Sequence, residues 1–203
     1  MIEELIKNRR SIRTYQKKDI PKEIVEELVY LANLSPSPMN VQDRHFVVID
    51  KNSALREKLY TAACCQEHIL TAPVLIVVVS KMDFPDEKKY FEECIGWGMD
   101  FWGAAPDNYI QNSKYLDHYN NLRKVSEIQD STIALQTLTL AAEDKGLGSC
   151  WIGSFDEKDV KTILGLPEKY RVFSMLTLGY PKERPSYPKD VKSISEILHW
   201  GKW

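Results

Sequence analysis

The chain has 203 residues, 43% of them hydrophobic, which is enough apolar material for one domain core and too much for a disordered chain. Its 27 Lys and Arg against 29 Asp and Glu leave a formal net charge of -2, which argues against nonspecific nucleic-acid binding. The longest apolar run, residues 74–79, is far shorter than a bilayer span and the N-terminal MIEELIKNRR lacks signal character, so a cytoplasmic protein with no membrane partner is expected.

Four cysteines (Cys64, Cys65, Cys94 and Cys150) form no CxxC pair, so reduced thiols and no metal site are expected. No linker, repeat or low-complexity tract interrupts the sequence, which predicts a single domain over residues 1–203 with a tail from about 181.

A short helix is expected over residues 2–8 and a second over 21–33, where Pro21 suits the first turn and Ile24, Val25, Leu28, Val29, Leu31 and Ala32 recur at helical spacing. Residues 45–49 (HFVVI), 74–79 (VLIVVV) and 171–179 (RVFSMLTLG) read as strands. A Ser-capped helix is predicted between the first two, over 53–65. Residues 129–145 form a helix with apolar side chains in nearly every direction, so it must be buried centrally or by a second subunit. Asp156 caps a further helix that ends at Leu164 before Gly165. Helices and strands do not alternate regularly, which favours α+β.

Three segments carry candidate chemistry. Arg9, Arg10, Ser11 and Arg13 place three guanidinium groups and a hydroxyl in five positions, either a phosphate cradle or a solvated basic turn. SPSPMNVQ at 35–42 offers the amides of Asn40 and Gln42 to the edge of a uracil-like ring, or is an ordinary Pro-rich connection. GLGSCWIGSF at 146–155 brings backbone close to a planar ligand, with Trp151 and Ile152 as an apolar wall. It follows a helix and lacks the GxGxxG spacing, so it is no dinucleotide fingerprint, and its glycines also serve to end the helix.

These segments, in this order, resemble the FMN-dependent nitroreductase family. The likeness runs through RRSIR, SPSPMNVQ, DSTIALQTLTLAAEDKGLGSCWIG and a strand ending LGYPKERP, and so covers nearly the whole chain. It implies an α+β, nitroreductase-like fold with a mixed, mostly antiparallel central sheet flanked by helices, in an intertwined homodimer holding one FMN in each of two interface sites. Arg9, Arg10, Ser11 and Arg13 inherit the phosphate. Ser37, Pro38, Met39, Asn40 and Gln42 inherit contacts to the flavin of the partner subunit. Backbone around Trp151, Ile152 and Gly153 faces the ring near N5. Arg184 is the best match for a C-terminal phosphate cation, with Lys189 second, and the tail bearing Ile194, Ile197 and Trp200 extends onto the partner. Two departures are Pro38 and Met39 where many relatives have glycines, and Asp43 and Arg44 where an aromatic follows Gln-Pro.

The resemblance further implies NAD(P)H as co-substrate, a ping-pong reaction and a small electron-poor acceptor such as a nitroaromatic or quinone. The flavin carries the chemistry, so no catalytic side chain is assigned. Nine of the 21 aromatic residues (Phe84, Tyr90, Phe91, Trp97, Phe101, Trp102, Tyr109, Tyr115 and Tyr119) are candidates for the acceptor pocket or for ordinary packing. The alternatives are a flavin-dependent dehydrogenase or dehalogenase of the same fold, or a non-catalytic flavin-binding or sensing protein. Cys64 or Cys65 with His68 reads as a buried thiol beside a surface histidine, and His45 as a structural one.

Overall fold

The structure is a computed structural model and describes residues 2–81, 86–96 and 113–203. The elements in chain order are α1 (Ile2–Asn8), α2 (Lys22–Asn33), a 3-10 turn (Pro38–Asn40), β1 (Arg44–Asp50), α3 (Leu55–Ala62), α4 (His68–Thr71), β2 (Val74–Lys81), α5 (Glu87–Gly96), α6 (Ser113–Asp144), β3 (Gly148–Ile152), α7 (Glu157–Leu164), β4 (Tyr170–Gly179) and α8 (Ile194–Ile197).

The four strands pair in the order β1-β2-β4-β3, every pairing antiparallel. The VLIVVV run supplies β2, which is buried from Val74 to Ser80 because both faces of the sheet are covered. Val74, Ile76 and Val78 meet Val25 and Leu28 of α2 and Ala134, Leu135 and Leu138 of α6 on one face. Leu75, Val77 and Val79 meet Leu59 of α3 and Val160 of α7 on the other. Two apolar layers on one sheet make an α+β fold of three layers.

Several expected boundaries shift for physical reasons. The predicted 53–65 helix is shorter, because Cys64 and Cys65 take positive φ values of 55° and 54° and end it. Helix α6 begins well before residue 129, since a polar first half gives no apolar period to read. Its burial is one-sided. Asp130, Ala134, Leu135, Leu138 and Ala142 are sealed, while Ile133 is 39% exposed and Leu140 and Ala141 line a cavity of about 610 Å³ with Ile2, Leu5, Leu31 and Leu34. The glycine segment at 148 is strand β3, to which the sequence reading assigned a helix stop and ligand-facing backbone but no strand. Helix α7 follows expectation: the Asp156 carboxylate accepts from the Asp159 amide at 2.9 Å, and Gly165 closes it at φ +64°.

Candidate functional site

Two glycines position the basic segment. Gly148 and Gly179 are directly paired across β3 and β4, and neither leaves room for a Cβ: one built on Gly148 would lie 2.6 Å from Ile12 Cγ1, one on Gly179 2.5 Å from Tyr15 Cδ1. This flat patch lets residues 11–15 cross the end of the sheet. Ile12 is 2% exposed there, its amide donates to the Ser149 carbonyl at 2.8 Å, and Ser11 forms a parallel bridge with Ser149. The Tyr15 hydroxyl sits 2.8 Å from Thr177 Oγ1 and donates to the Ile12 carbonyl at 2.6 Å, and burial raises its pKa so that it stays protonated.

The C-terminal segment closes over this strip. The Lys182 amide donates to the Thr14 carbonyl at 3.0 Å, and the Arg10 guanidinium donates to the Tyr187 carbonyl at 2.6 Å while lying 4.5 Å above the Tyr187 ring. Ser11, Arg13, Arg184 and Tyr187 line a cavity of about 340 Å³. Arg184 also pairs with Glu143 at 2.6 Å. Lys189 donates to the Ile6 carbonyl at 2.5 Å, and burial followed by the charges of Arg9 and Arg10 lowers its pKa. Cations crowded closely enough to disfavour one another fit an anion between them.

Beside the cradle runs the free edge of β3. The Ser149 carbonyl points outward to Ile12, whereas the Cys150 and Ile152 carbonyls accept from Thr177 and Ser174 on the β4 side. Backbone groups alternate along a strand, so the N–H and C=O of Trp151 face outward with those of Ser149, and Gly153 follows directly after the strand. Among the described residues, a Cβ on Gly153 would meet nothing within 4 Å, so the space beside this glycine is open there. The expected side-chain wall is absent. Ile152 is 1% exposed in the α3/α7 layer, and Trp151 packs toward α6 with its indole donating to Thr139 Oγ1 at 2.8 Å. What this strand offers a ligand is backbone.

The 35–42 loop lies elsewhere. In register, Ser149 is level with Leu178, Val74 and Asp50, while Arg44, where the loop enters β1, is level with Ser80. Cradle and loop therefore occupy diagonally opposite corners of the sheet, roughly 14 Å apart across the strands and roughly 20 Å along them. The loop is internally ordered: Ser37 Oγ accepts from the Gln42 amide at 3.1 Å, Gln42 Nε2 donates to Asn40 Oδ1 at 3.0 Å, and Asn40 and Gln42 have φ values of 54° and 50°. Pro38 and Met39 lie in its 3-10 turn, and both amide side chains are exposed.

Sequence reasoning passed over the groups that hold this loop. Arg44, noted only as a departure, is fully buried and paired with the equally buried Asp130. It also donates to the carbonyls of Asn33 at 2.8 Å, Ser35 at 2.6 Å and Pro36 at 3.3 Å. Arg56 is a second buried cation, satisfied by the carbonyls of Ile49, Asp50, Ile69, Ala72 and Pro73; burial, slightly offset by Asp50, lowers its pKa to about 10. A charged residue at a strand or helix start gives no sign of such burial; the only available signal was the singular Asp130 at the head of an apolar face.

The remaining candidates separate cleanly. Cys64 and Cys65 are exposed and His68 is buried, the reverse of expectation, and burial followed by the charge of Arg13 keeps His68 below its ordinary pKa. His45 is exposed and packs edge-on to Tyr170. Tyr90, Phe91 and Tyr119 pack on one another between α5 and α6. Phe84, Trp97, Phe101, Trp102 and Tyr109 lie outside the described residues. No helix among the described residues is long and apolar enough to cross a membrane.

Comparisons with known proteins agree with this architecture. The profile of the nitroreductase family matches residues 6–180. An NADH dehydrogenase of Thermus thermophilus is 31% identical over 192 residues, covering 95% of this chain and 92% of its own length. An iodotyrosine deiodinase of Thermotoga neapolitana is 27% identical over 194 residues, covering 94% of each chain. The solved structure of a nitroreductase-like protein from Streptococcus mutans superposes with a TM-score of 0.79 at 20% identity, covering 98% of each chain. The chain belongs to the nitroreductase family, a family of flavin-dependent oxidoreductases.

Proposed function

We propose that the protein binds FMN and uses NAD(P)H to reduce small electron-poor acceptors, nitroaromatics or quinones, by a ping-pong reaction. The observation that carries this reading is the junction of a cation cluster with an open strand edge. Arg9, Arg10, Ser11 and Arg13 meet the segment bearing Arg184 and Lys189 where the Ser11 bridge joins β3. The arginine forks and Ser11 hold the phosphate, and the outward N–H of Trp151 and the backbone of Gly153 after it orient the ring along the edge. Bound FMN supplies the two-electron carrier. Open space at Gly153 lets the ring lie close to backbone, and the neighbouring cations favour added negative charge.

The loop bearing Ser37, Pro38, Met39, Asn40 and Gln42 reaches the second site of a homodimer, since it stands at the opposite corner of its own sheet. The open apolar side of α6 and the exposed tail, residues 181–203, cover the partner; Ile194 and Ile197 on α8 are 66% and 58% exposed although a Ser193–Glu196 capping box orders that turn. The test is an anaerobic absorption spectrum of the purified protein before and after NADH or NADPH. Flavin bands that bleach support the oxidoreductase; a protein that cannot be reconstituted with FMN removes the reading. The deiodinase relative favours reductive dehalogenation as a second reading. Release of iodide from an iodophenol by the reduced protein, with no turnover of nitroaromatics, would establish it instead.

A further inference from the structure

The Arg44–Asp130 pair is built unlike an ion pair made for stability. Arginine meets a carboxylate best through two parallel N–H bonds. Here one donor goes to Asp130 Oδ1, three go to the carbonyls of Asn33, Ser35 and Pro36, and both Arg44 Nε and Asp130 Oδ2 lack a partner among the described residues. Asp130 fixes one corner of the guanidinium while the other three bonds gather the backbone that leaves α2. A second tie joins the same stretch to α6, Ser35 Oγ donating to Thr137 Oγ1 at 2.7 Å. Residue 37, where the self-bonded turn bearing Asn40 and Gln42 begins, directly follows the last clamped carbonyl.

We propose that Arg44, oriented by Asp130, is a positioning residue that sets the geometry of loop 37–42 and so the angle at which Asn40 and Gln42 meet the flavin ring. This inference rests on the FMN reading for its ligand, and on the hydrogen bonds of Arg44 alone for the clamp. The clamp acts on the ring end of the ligand and the cradle on its phosphate, so the two separate by choice of ligand. Riboflavin shares the ring and lacks the phosphate.

The test compares Arg44→Lys with Arg9→Ala/Arg10→Ala, measuring affinities for FMN and riboflavin. It also measures hydrogen exchange at the Asn40, Val41 and Gln42 amides, which bond to the Ser37 carbonyl, the Pro38 carbonyl and Ser37 Oγ. Lysine keeps the charge opposite Asp130, but its three N–H donors sit on one nitrogen without the planar fork, so it cannot hold Asp130 and all three carbonyls at once. Arg44→Lys is expected to free those three amides, leave the β2 amides protected, and weaken FMN and riboflavin by the same factor, about tenfold for a loop that must be ordered on binding. The double arginine variant is expected to weaken FMN alone.

Loop amides in Arg44→Lys as protected as in the native protein would overturn the clamp. Freed amides with unchanged riboflavin affinity would overturn its role toward the ring. Failure of the native protein to bind either flavin would instead defeat the FMN reading, and the amide result would still decide the clamp. Should Arg44→Lys not fold, Arg44→Met/Asp130→Leu removes both charges together, a replacement buried pairs often tolerate, and is read in the same way.

Discussion

The two halves of the candidate site are built by opposite means. The proposed cradle is a surface of cations held by backbone: residues 11–15 lie across a glycine pair, and the side chains of Ser11 and Arg13 are left exposed. The loop is a surface of neutral amides held by a cation, since Arg44 is sealed in the interior and Asn40 and Gln42 are exposed. Charge thus has different uses at the two corners. In the proposed reading it meets the ligand at one corner, and at the other it orders the chain that meets the ligand. A buried charge makes stability and loop geometry inseparable, whereas surface charge leaves the fold indifferent to its loss.

That contrast predicts a graded series. Arg44→Ala strands the buried Asp130 carboxylate and should cost about 3–5 kcal/mol of stability, read from urea unfolding; a loss below about 1 kcal/mol would erase the distinction. Arg9→Ala/Arg10→Ala should weaken FMN binding by about 2–5 kcal/mol with the unfolding midpoint unchanged, the range for charge-assisted phosphate contacts. Gly148→Ala should destabilise by about 1–3 kcal/mol through the clash with Ile12. Trimming that side chain in Gly148→Ala/Ile12→Ala removes the Cγ1 and Cγ2 contacts but keeps the Cβ at 2.8 Å, so it should recover only part of the clash, and strict additivity of the two losses would deny the contact. Gly153→Val, facing open space, should stay within about 0.5 kcal/mol of native stability yet slow reduction by NAD(P)H.

The smallest effect sharpens the cradle further. If FMN binds as proposed, its phosphate would restore the lowered Lys189 pKa toward its ordinary value, so FMN affinity should be greatest below the free-protein pKa of Lys189 and fall as pH rises through it. Lys189→Met should flatten that alkaline decline in a fluorescence titration, and an unaltered slope would take Lys189 out of the phosphate's surroundings.

How much of this was legible in sequence follows the same division. The basic cluster proposed as a cradle stood out because its cations are neighbours in the chain, and α7 could be read because its Asp156 cap and Gly165 stop act over a few residues. Strand β2 announced itself by a β-branched run. Strand β3 could not, since GSCWI has only two strand-favouring residues, Trp151 and Ile152, and its state is set by pairing with β4 and by the Ile12 amide. The clamp was still less legible, because its two charges stand 86 positions apart and nothing local to Arg44 records the carbonyls it gathers. Interactions short in sequence leave a pattern there; those closed by the fold leave only an odd residue.

The tail carries one more consequence. Trp200 and Trp203 are 88% and 100% exposed, whereas Trp151 has its indole bonded to Thr139. Two of the five tryptophans therefore sit in water, where the partner in the proposed homodimer would shield them. The emission spectrum of the protein becomes its own gauge of assembly: a shift to shorter wavelength as concentration rises, abolished by removing residues after 188, would mark association without a label or a ligand.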